Sequence, residues 1–216
     1  DNVPTVCGQV FEQGVGVKAC LQALQPAWDN ERSAAAQFNE TSKIHKRGVG
    51  IAAGWYGCGN TSLPNPSTIK SGVRSDGTVV LHQGAMDIGQ GANTVITQIF
   101  ATALGIPVLQ VQRIGADTDV TPDAGKTSAS RQTYVSGSAA RLSGLALRAT
   151  ILKRVNASDS AKLEFGAGII RVVDGRDEHS VNLSSVPQDD EGYVFRAQET
   201  YDPPTKPLDK NGQGVP

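Results

Sequence analysis

A chain of 216 residues with a formal charge of −1 and only 5% aromatic residues is long enough to bury a substantial core. It lacks the basic surface and stacking side chains that nucleic-acid binding requires. No apolar run approaches the roughly 18 residues of a membrane helix, and residues 1–10 carry no basic-then-apolar leader pattern, so neither nucleic acid nor membrane is expected as a partner.

Cys7, Cys20 and Cys58 are odd in number and scattered, which suits neither a disulfide framework nor a zinc site and fits a reducing cytoplasm. On that basis the Asn-x-Ser/Thr sequons at Asn39, Asn60, Asn156 and Asn182 are read as chance.

In chain order, residues 14–46 read as helical. Val17, Leu21 and Leu24 share one stretch and Ala34, Ala35, Phe38 and Ile44 a second, with Pro26 expected to break or kink the chain between them. This sets a helical N-terminal region, 1–47, before a domain spanning 48–216. Residues 48–57 alternate glycine with small and apolar residues and read as a strand, with Trp55 and Tyr56 beside it as core aromatics. Residues 68–74 and 78–84 flank Ser75-Asp76-Gly77 as a hairpin. A helix follows over 93–104, with Asn93 as N-cap and Gly105 as stop. Next come a strand over 108–114 and a helix opening near Ser130, whose stripe includes Tyr134, Val135, Ala139, Leu142 and Leu152. The pattern returns more weakly over 163–173 and 193–200, and the tail from Asp202 reads as loop. The expected fold is α+β, a mixed sheet with packed helices built from strand-strand-helix-strand-helix units.

Two loops stand out, residues 87–94 (Asp-Ile-Gly-Gln-Gly-Ala-Asn-Thr) and residues 121–133. Each is rich in small or hydroxyl residues and each opens a helix, where unpaired N–H groups and permissive glycines favour an anionic ligand such as a phosphorylated cofactor. Neither loop fits a nucleotide fingerprint. Thr94 stands where a dinucleotide motif needs its third glycine, and Val120 where a Walker loop preceding Gly125-Lys126-Thr127 needs its first. Ser67-Thr68-Ile69-Lys70 matches a Ser-x-x-Lys pattern without the partner motifs. Asp117, Asp119 and Asp123 read as turn acceptors rather than metal ligands, and His82 as a hydrogen-bonded sheet histidine.

Taken together, Gly-Val-Gly-Ile-Ala-Ala-Gly-Trp-Tyr-Gly at 48–57, His-Gln-Gly-Ala-Met-Asp-Ile-Gly-Gln-Gly at 82–91, Leu-Gly-Ile-Pro at 104–107, Asp-Thr-Asp at 117–119 and Thr-Ser-Ala-Ser-Arg-Gln-Thr at 127–133 resemble the molybdenum-binding region of the xanthine dehydrogenase and aldehyde oxidoreductase family. The runs at 54–60 and 128–133 are most similar to aldehyde oxidoreductases of sulfate-reducing bacteria. The resemblance implies oxidation of an aldehyde to a carboxylic acid with water as oxygen source, and molybdopterin cytosine dinucleotide with molybdenum as cofactor. It assigns cofactor contacts to Gly89, Gln90, Gly91, Ser128, Ala129, Ser130, Arg131, Gln132 and Thr133; the chemistry of an arginine at a helix start adds the expectation that Arg131 grips phosphate. The metal is held by the cofactor's dithiolene, so no protein metal ligand is expected.

The family's catalytic glutamate sits in a Gly-x-Gly-Glu motif that does not follow Gly168, and three cysteines cannot ligate an iron-sulfur cluster. The base, the iron-sulfur clusters and the rest of the polypeptide are therefore expected elsewhere, with no catalytic residue in this segment, and a homo-oligomer is also expected. The alternatives are a purine or other N-heterocycle hydroxylase, from which the Arg131-Gln132 pair leans away, and a non-catalytic anion- or cofactor-binding module.

Overall fold

The computed structural model describes residues 3–4, 10, 15–54, 59–60 and 63–210. Trp55, Tyr56, Cys7 and Cys58 lie outside that set. The chain divides into two compact units, residues 1–57 with 208–215 and residues 58–207 with 216.

In the first unit a single helix, α1 (Val17–Thr41), runs through Pro26. The expected break is absent. Proline removes one N–H, and the carbonyl of Gln22 that it frees lies on an exposed residue where water can satisfy it. No residue of α1 is buried. The helix ends in a local knot: Asn39 Oδ1 accepts from Arg47 N and Asn39 Nδ2 donates to Arg47 O, each at 2.8 Å, while the Arg47 guanidinium stacks 3.8 Å from the Phe38 ring centroid. Residues 48–54 form no strand, contrary to expectation. Their glycine content weakens any ladder, and they find no pairing partner among the described residues.

The second unit holds the mixed sheet. Strands β1 (Ser67–Arg74) and β2 (Val79–Gln83) form the hairpin expected around Ser75-Asp76-Gly77. Helix α2 (Ala92–Leu104) then crosses to β3 (Val111–Gly115), which pairs parallel with β2 after a 3-10 turn at Val108–Gln110. Gly105, left-handed at φ 86°, ends α2 as foreseen. Helix α3 (Gln132–Val155) leads into an antiparallel three-stranded sheet of β4 (Lys162–Gly166), β5 (Ile169–Asp174) and β6 (Asp177–Asn182). Strand β7 (Tyr193–Tyr201) returns beside β1, giving the order β3-β2-β1-β7. Strand β6 is not legible in the sequence because Asp-Glu-His-Ser-Val-Asn has little β-branched character; pairing with β5 supplies what propensity does not.

Helix α3 is the structural spine, and its heptad spacing explains why. Ser136 and Ser143 face β1, where their hydroxyls lie 2.8 Å from Ser67 Oγ and 2.7 Å from Ser71 Oγ. One position on, Gly137 and Gly144 face α2. A methyl at Gly144 would lie 2.8 Å from Phe100 O and 2.9 Å from Ala103 Cβ, so only glycine allows this helix spacing. Ile69, Val73 and Leu81 of the sheet, Ile96, Phe100 and Leu104 of α2, and Leu147 and Ile151 of α3 close the core. Each such side chain contributes about 1.5 to 3 kcal/mol by leaving water. The two helices stand side by side, which brings the loops that open them together. Among the described residues no helix is long and apolar enough to cross a membrane.

Candidate functional site

The first loop is organised by Asp87. Its Oδ1 accepts from Gly89 N at 2.9 Å and Gly91 N at 3.3 Å, and its Oδ2 from Asn93 N at 3.0 Å. These N–H groups hold the carboxyl below the usual aspartate range. Helix α2 is thus capped from inside the loop: Gly91, left-handed at φ 82°, takes the cap position expected for Asn93. Asn93 Oδ1 instead accepts from Gln83 Nε2 at 2.5 Å. The N–H groups expected to await an anion are occupied by the chain's own carboxylate. Gln90 folds back as well, with Oε1 accepting from Ile88 N at 2.7 Å and Nε2 donating to Met86 O at 3.3 Å. Around Gly89 (φ 104°) and Gly91 nothing lies within 4 Å of where a Cβ would stand. Their outer surface is open.

The second loop is anchored differently. Arg131, only 3% exposed, uses all five of its N–H groups on protein acceptors. Nε donates to Asn65 Oδ1 at 2.5 Å, Nη1 to Ala124 O at 2.6 Å and Lys126 O at 3.0 Å, and Nη2 to Asn65 O at 3.1 Å and Pro66 O at 2.8 Å. Burial lowers its pKa, and the charges of Asp123 and Asp202 act the other way. The expected grip on phosphate is not what this conformation offers, since a guanidinium has no sixth donor. Arg131 holds the loop instead.

Just before it, Ala129 (φ 48°) and Ser130 (φ 55°) are consecutive left-handed residues, each costing on the order of 1 to 2 kcal/mol. Arg131 N donates to Ser128 O at 3.1 Å and Gly59 N to Ala129 O at 2.8 Å, which pins the pair on both sides. Ser130 and Thr133 are exposed, whereas Gln132 is buried. Gln132 Nε2 donates to Lys126 O at 3.2 Å and Thr127 Oγ1 at 3.1 Å.

The two loops meet. Thr127 Oγ1 donates to Met86 O at 2.8 Å, and a methyl on Gly84 would lie 2.5 Å from Pro122 O. The site residues foreseen from sequence therefore fall on one contiguous rim, with Gly89, Gln90, Gly91, Ser130 and Thr133 outward and Arg131 and Gln132 inward. Asp87, Thr127 and Asn65 were not foreseen. An aspartate two residues before a glycine is an Asx-turn signal, but nothing in sequence ties Asn65 to Arg131.

The neighbouring carboxylates serve turns as read: Asp117 Oδ1 accepts from Asp119 N at 3.0 Å and Asp123 Oδ1 from Gly125 N at 2.7 Å. His82 is half satisfied. Its Nε2 lies 2.5 Å from the Tyr193 hydroxyl, while Nδ1 is buried with no hydrogen-bond partner among the described residues. Burial, with the Lys70 charge adding to it, pushes its pKa down.

A family model for the molybdopterin cofactor-binding domain matches residues 22–216. The chain belongs to that family. As a molybdopterin cofactor-binding domain it is similar to the putative xanthine dehydrogenase molybdenum-binding subunit of Escherichia coli K12, at 37% identity over 143 residues, covering 63% of this chain and 18% of the relative. Xanthine dehydrogenase 1 of Arabidopsis thaliana is 33% identical over 109 residues, covering 50% and 8%.

Among solved structures, the aldehyde oxidoreductase of Desulfovibrio desulfuricans matches at 25% identity with a TM-score of 0.57, covering 99% of this chain and 21% of that one. The aldehyde oxidoreductase of Desulfovibrio gigas, at 22% identity and a TM-score of 0.52 over 91% of this chain and 19% of that one, shares the fold. The domain thus spans about a fifth or less of the length of these proteins. The α+β architecture with a mixed sheet and packed helices agrees with the expectation from sequence.

Proposed function

We propose that this chain is part of the cofactor-binding region of a molybdenum hydroxylase that oxidises aldehydes to carboxylic acids, and that the rim of the two joined loops holds the pterin. The observation that carries this reading is the Thr127–Met86 junction, which merges two glycine- and hydroxyl-rich loops into one surface. The residues present suit such a ligand. Gly89 and Gly91 offer uncrowded backbone, while Ser130, Thr133 and Gln90 offer uncharged donors and acceptors, as the hydrogen-bonding edges of a flat pterin require.

The fit is to those edges rather than to the phosphates, because Asp87 already fills the α2 start and Arg131 is fully engaged. Gly89, Gln90, Gly91, Ser128, Ala129, Ser130 and Thr133 would contact the cofactor, with Arg131 and Gln132 holding the loop that carries four of them. Bound there, the molybdenum-pterin group supplies the redox chemistry, and the chain's own residues bind and orient it.

For aldehyde as substrate and cytosine dinucleotide as the pterin's form, the support is the likeness to the Desulfovibrio desulfuricans enzyme over 99% of the chain and the wording of residues 54–60 and 128–133. The identity with xanthine dehydrogenase relatives favours a second reading, a purine hydroxylase. The complete enzyme carrying this chain would also hold the iron-sulfur clusters and the base. Turnover by that enzyme with an aromatic aldehyde and with xanthine, alongside identification of the nucleotide released from its pterin by acid, decides between them. Aldehyde turnover with cytidine monophosphate is expected. Xanthine turnover without aldehyde turnover would overturn the aldehyde reading.

A further inference from the structure

A one-directional hydrogen-bond chain runs from the sheet to the first loop. Ser136 Oγ donates to Gln132 Oε1. A hydroxyl has a single proton, so Ser67 must donate in the 2.8 Å contact between Ser67 Oγ and Ser136 Oγ. At the other end of the same amide, Gln132 Nε2 donates to Thr127 Oγ1, whose own proton goes to Met86 O. Ser67 and Ser136 are completely buried and Gln132 is 4% exposed. The buried steps through Ser67, Ser136 and Gln132 polarise one another, and the chain emerges at the surface in the Thr127–Met86 bond, whose donor is held in place by the Gln132 amide behind it.

Met86 O is also where Gln90 Nε2 attaches, and Met86 adjoins Asp87, which holds Gly89, Gly91 and Asn93. The backbone of the first loop therefore hangs on a carbonyl that Thr127 fixes from the second.

We infer that Thr127 is a positioning residue for cofactor: through Met86 O it sets the first loop against the second, and through Gln132 and the Ser136–Ser67 pair it references both to β1. The inference rests on the reading of these loops as the pterin rim. Threonine is needed here for a hydroxyl that donates and accepts at once. Valine has the same shape and can do neither; serine can do both.

The test uses the complete enzyme with Thr127→Val, Thr127→Ser and, as a control on the rim itself, Gly91→Val. Three quantities are read: pterin content after dialysis, hydrogen exchange of the peptide spanning residues 86–93, and the thermal midpoint. Thr127→Val should weaken pterin retention and speed exchange at 86–93 by about five-fold each, the scale of one lost hydrogen bond. Its midpoint should stay within about 3 °C of the parent. Thr127→Ser should return both quantities to within about two-fold of the parent.

Unchanged pterin retention in Thr127→Val, with or without faster exchange, overturns the inference. So does a fallen midpoint with unchanged loop exchange, which would make the residue merely structural. If Gly91→Val also keeps its full pterin, the reading of the rim fails as well. If Gly91→Val loses pterin and Thr127→Val does not, the coupling alone fails.

Discussion

The two loops that build the rim reach order by opposite routes. The first is shallow: apart from the bonds of Met86 O to Thr127 and of Asn93 to Gln83, the hydrogen bonds described for it run among residues 86–93, and its glycines face open space. The second is rooted. Arg131 collects acceptors from residues 65, 66, 124 and 126, and Gln132 reaches into the β1–α3 interface. The proposed rim thus joins a shallow part to a rooted part, and the Thr127–Met86 bond links the two.

The strongest challenge to that asymmetry is Arg131→Met. It removes five donors and leaves the carbonyls of the buried residues Asn65 and Ala124 without their guanidinium partner, while Lys126 O keeps Gln132 Nε2 and Asn65 Oδ1 keeps Asn60 Nδ2, so unfolding should become easier by on the order of 2 to 4 kcal/mol. Chemical denaturation of the complete enzyme would show it. Arg131→Lys should recover little, because one ammonium cannot reach five acceptors arranged for a planar fork. A midpoint unchanged in Arg131→Met would mean the second loop is no more rooted than the first.

Gly144→Ala tests whether helix spacing sets loop spacing. The new methyl would press on Phe100 O and Ala103 Cβ, and overpacking of this kind costs about 1 to 3 kcal/mol. Hydrogen exchange should rise in both loops together, since α2 and α3 carry one each. Gly91→Val should be milder for the fold, on the order of 1 to 2 kcal/mol for a branched residue at a positive φ, with pterin content falling further than stability does.

The smallest effect is expected from Asp87→Asn. The parent carboxyl is held below the usual aspartate range, so its contribution is present above the ordinary carboxylate pKa and is lost as pH falls through the folded value. Protection of the 86–93 amides, corrected for intrinsic exchange, should decline below pH of about 4 in the parent and stay level in the variant. The same decline in both would assign it to another group.

How much of this was legible beforehand depends on how local the cause is. The hairpin at Ser75-Asp76-Gly77, the stop at Gly105 and the turn roles of Asp117 and Asp123 are written in adjacent residues, and sequence spacing revealed them. The loops themselves were visible as glycine and hydroxyl runs. The reach of Arg131 was not, since its main partner Asn65 is 66 positions away and only the folded sheet brings them together. Pro26 and residues 48–54 mark the opposite limit. There a propensity rule gave the expectation, and the outcome turned on surroundings: the helix stays unbroken where the Gln22 carbonyl can meet water, and residues 48–54 find no pairing partner among the described residues.

The rooting of the second loop also bears on the thermodynamics of capture. Ala129 and Ser130 are held in their unfavourable backbone region by bonds that form when the domain folds, so the conformational entropy of this segment is surrendered then and not upon ligand arrival. For a group docking at the proposed rim, the cost of ordering this segment would already have been met, leaving the translational, rotational and desolvation costs that any association carries.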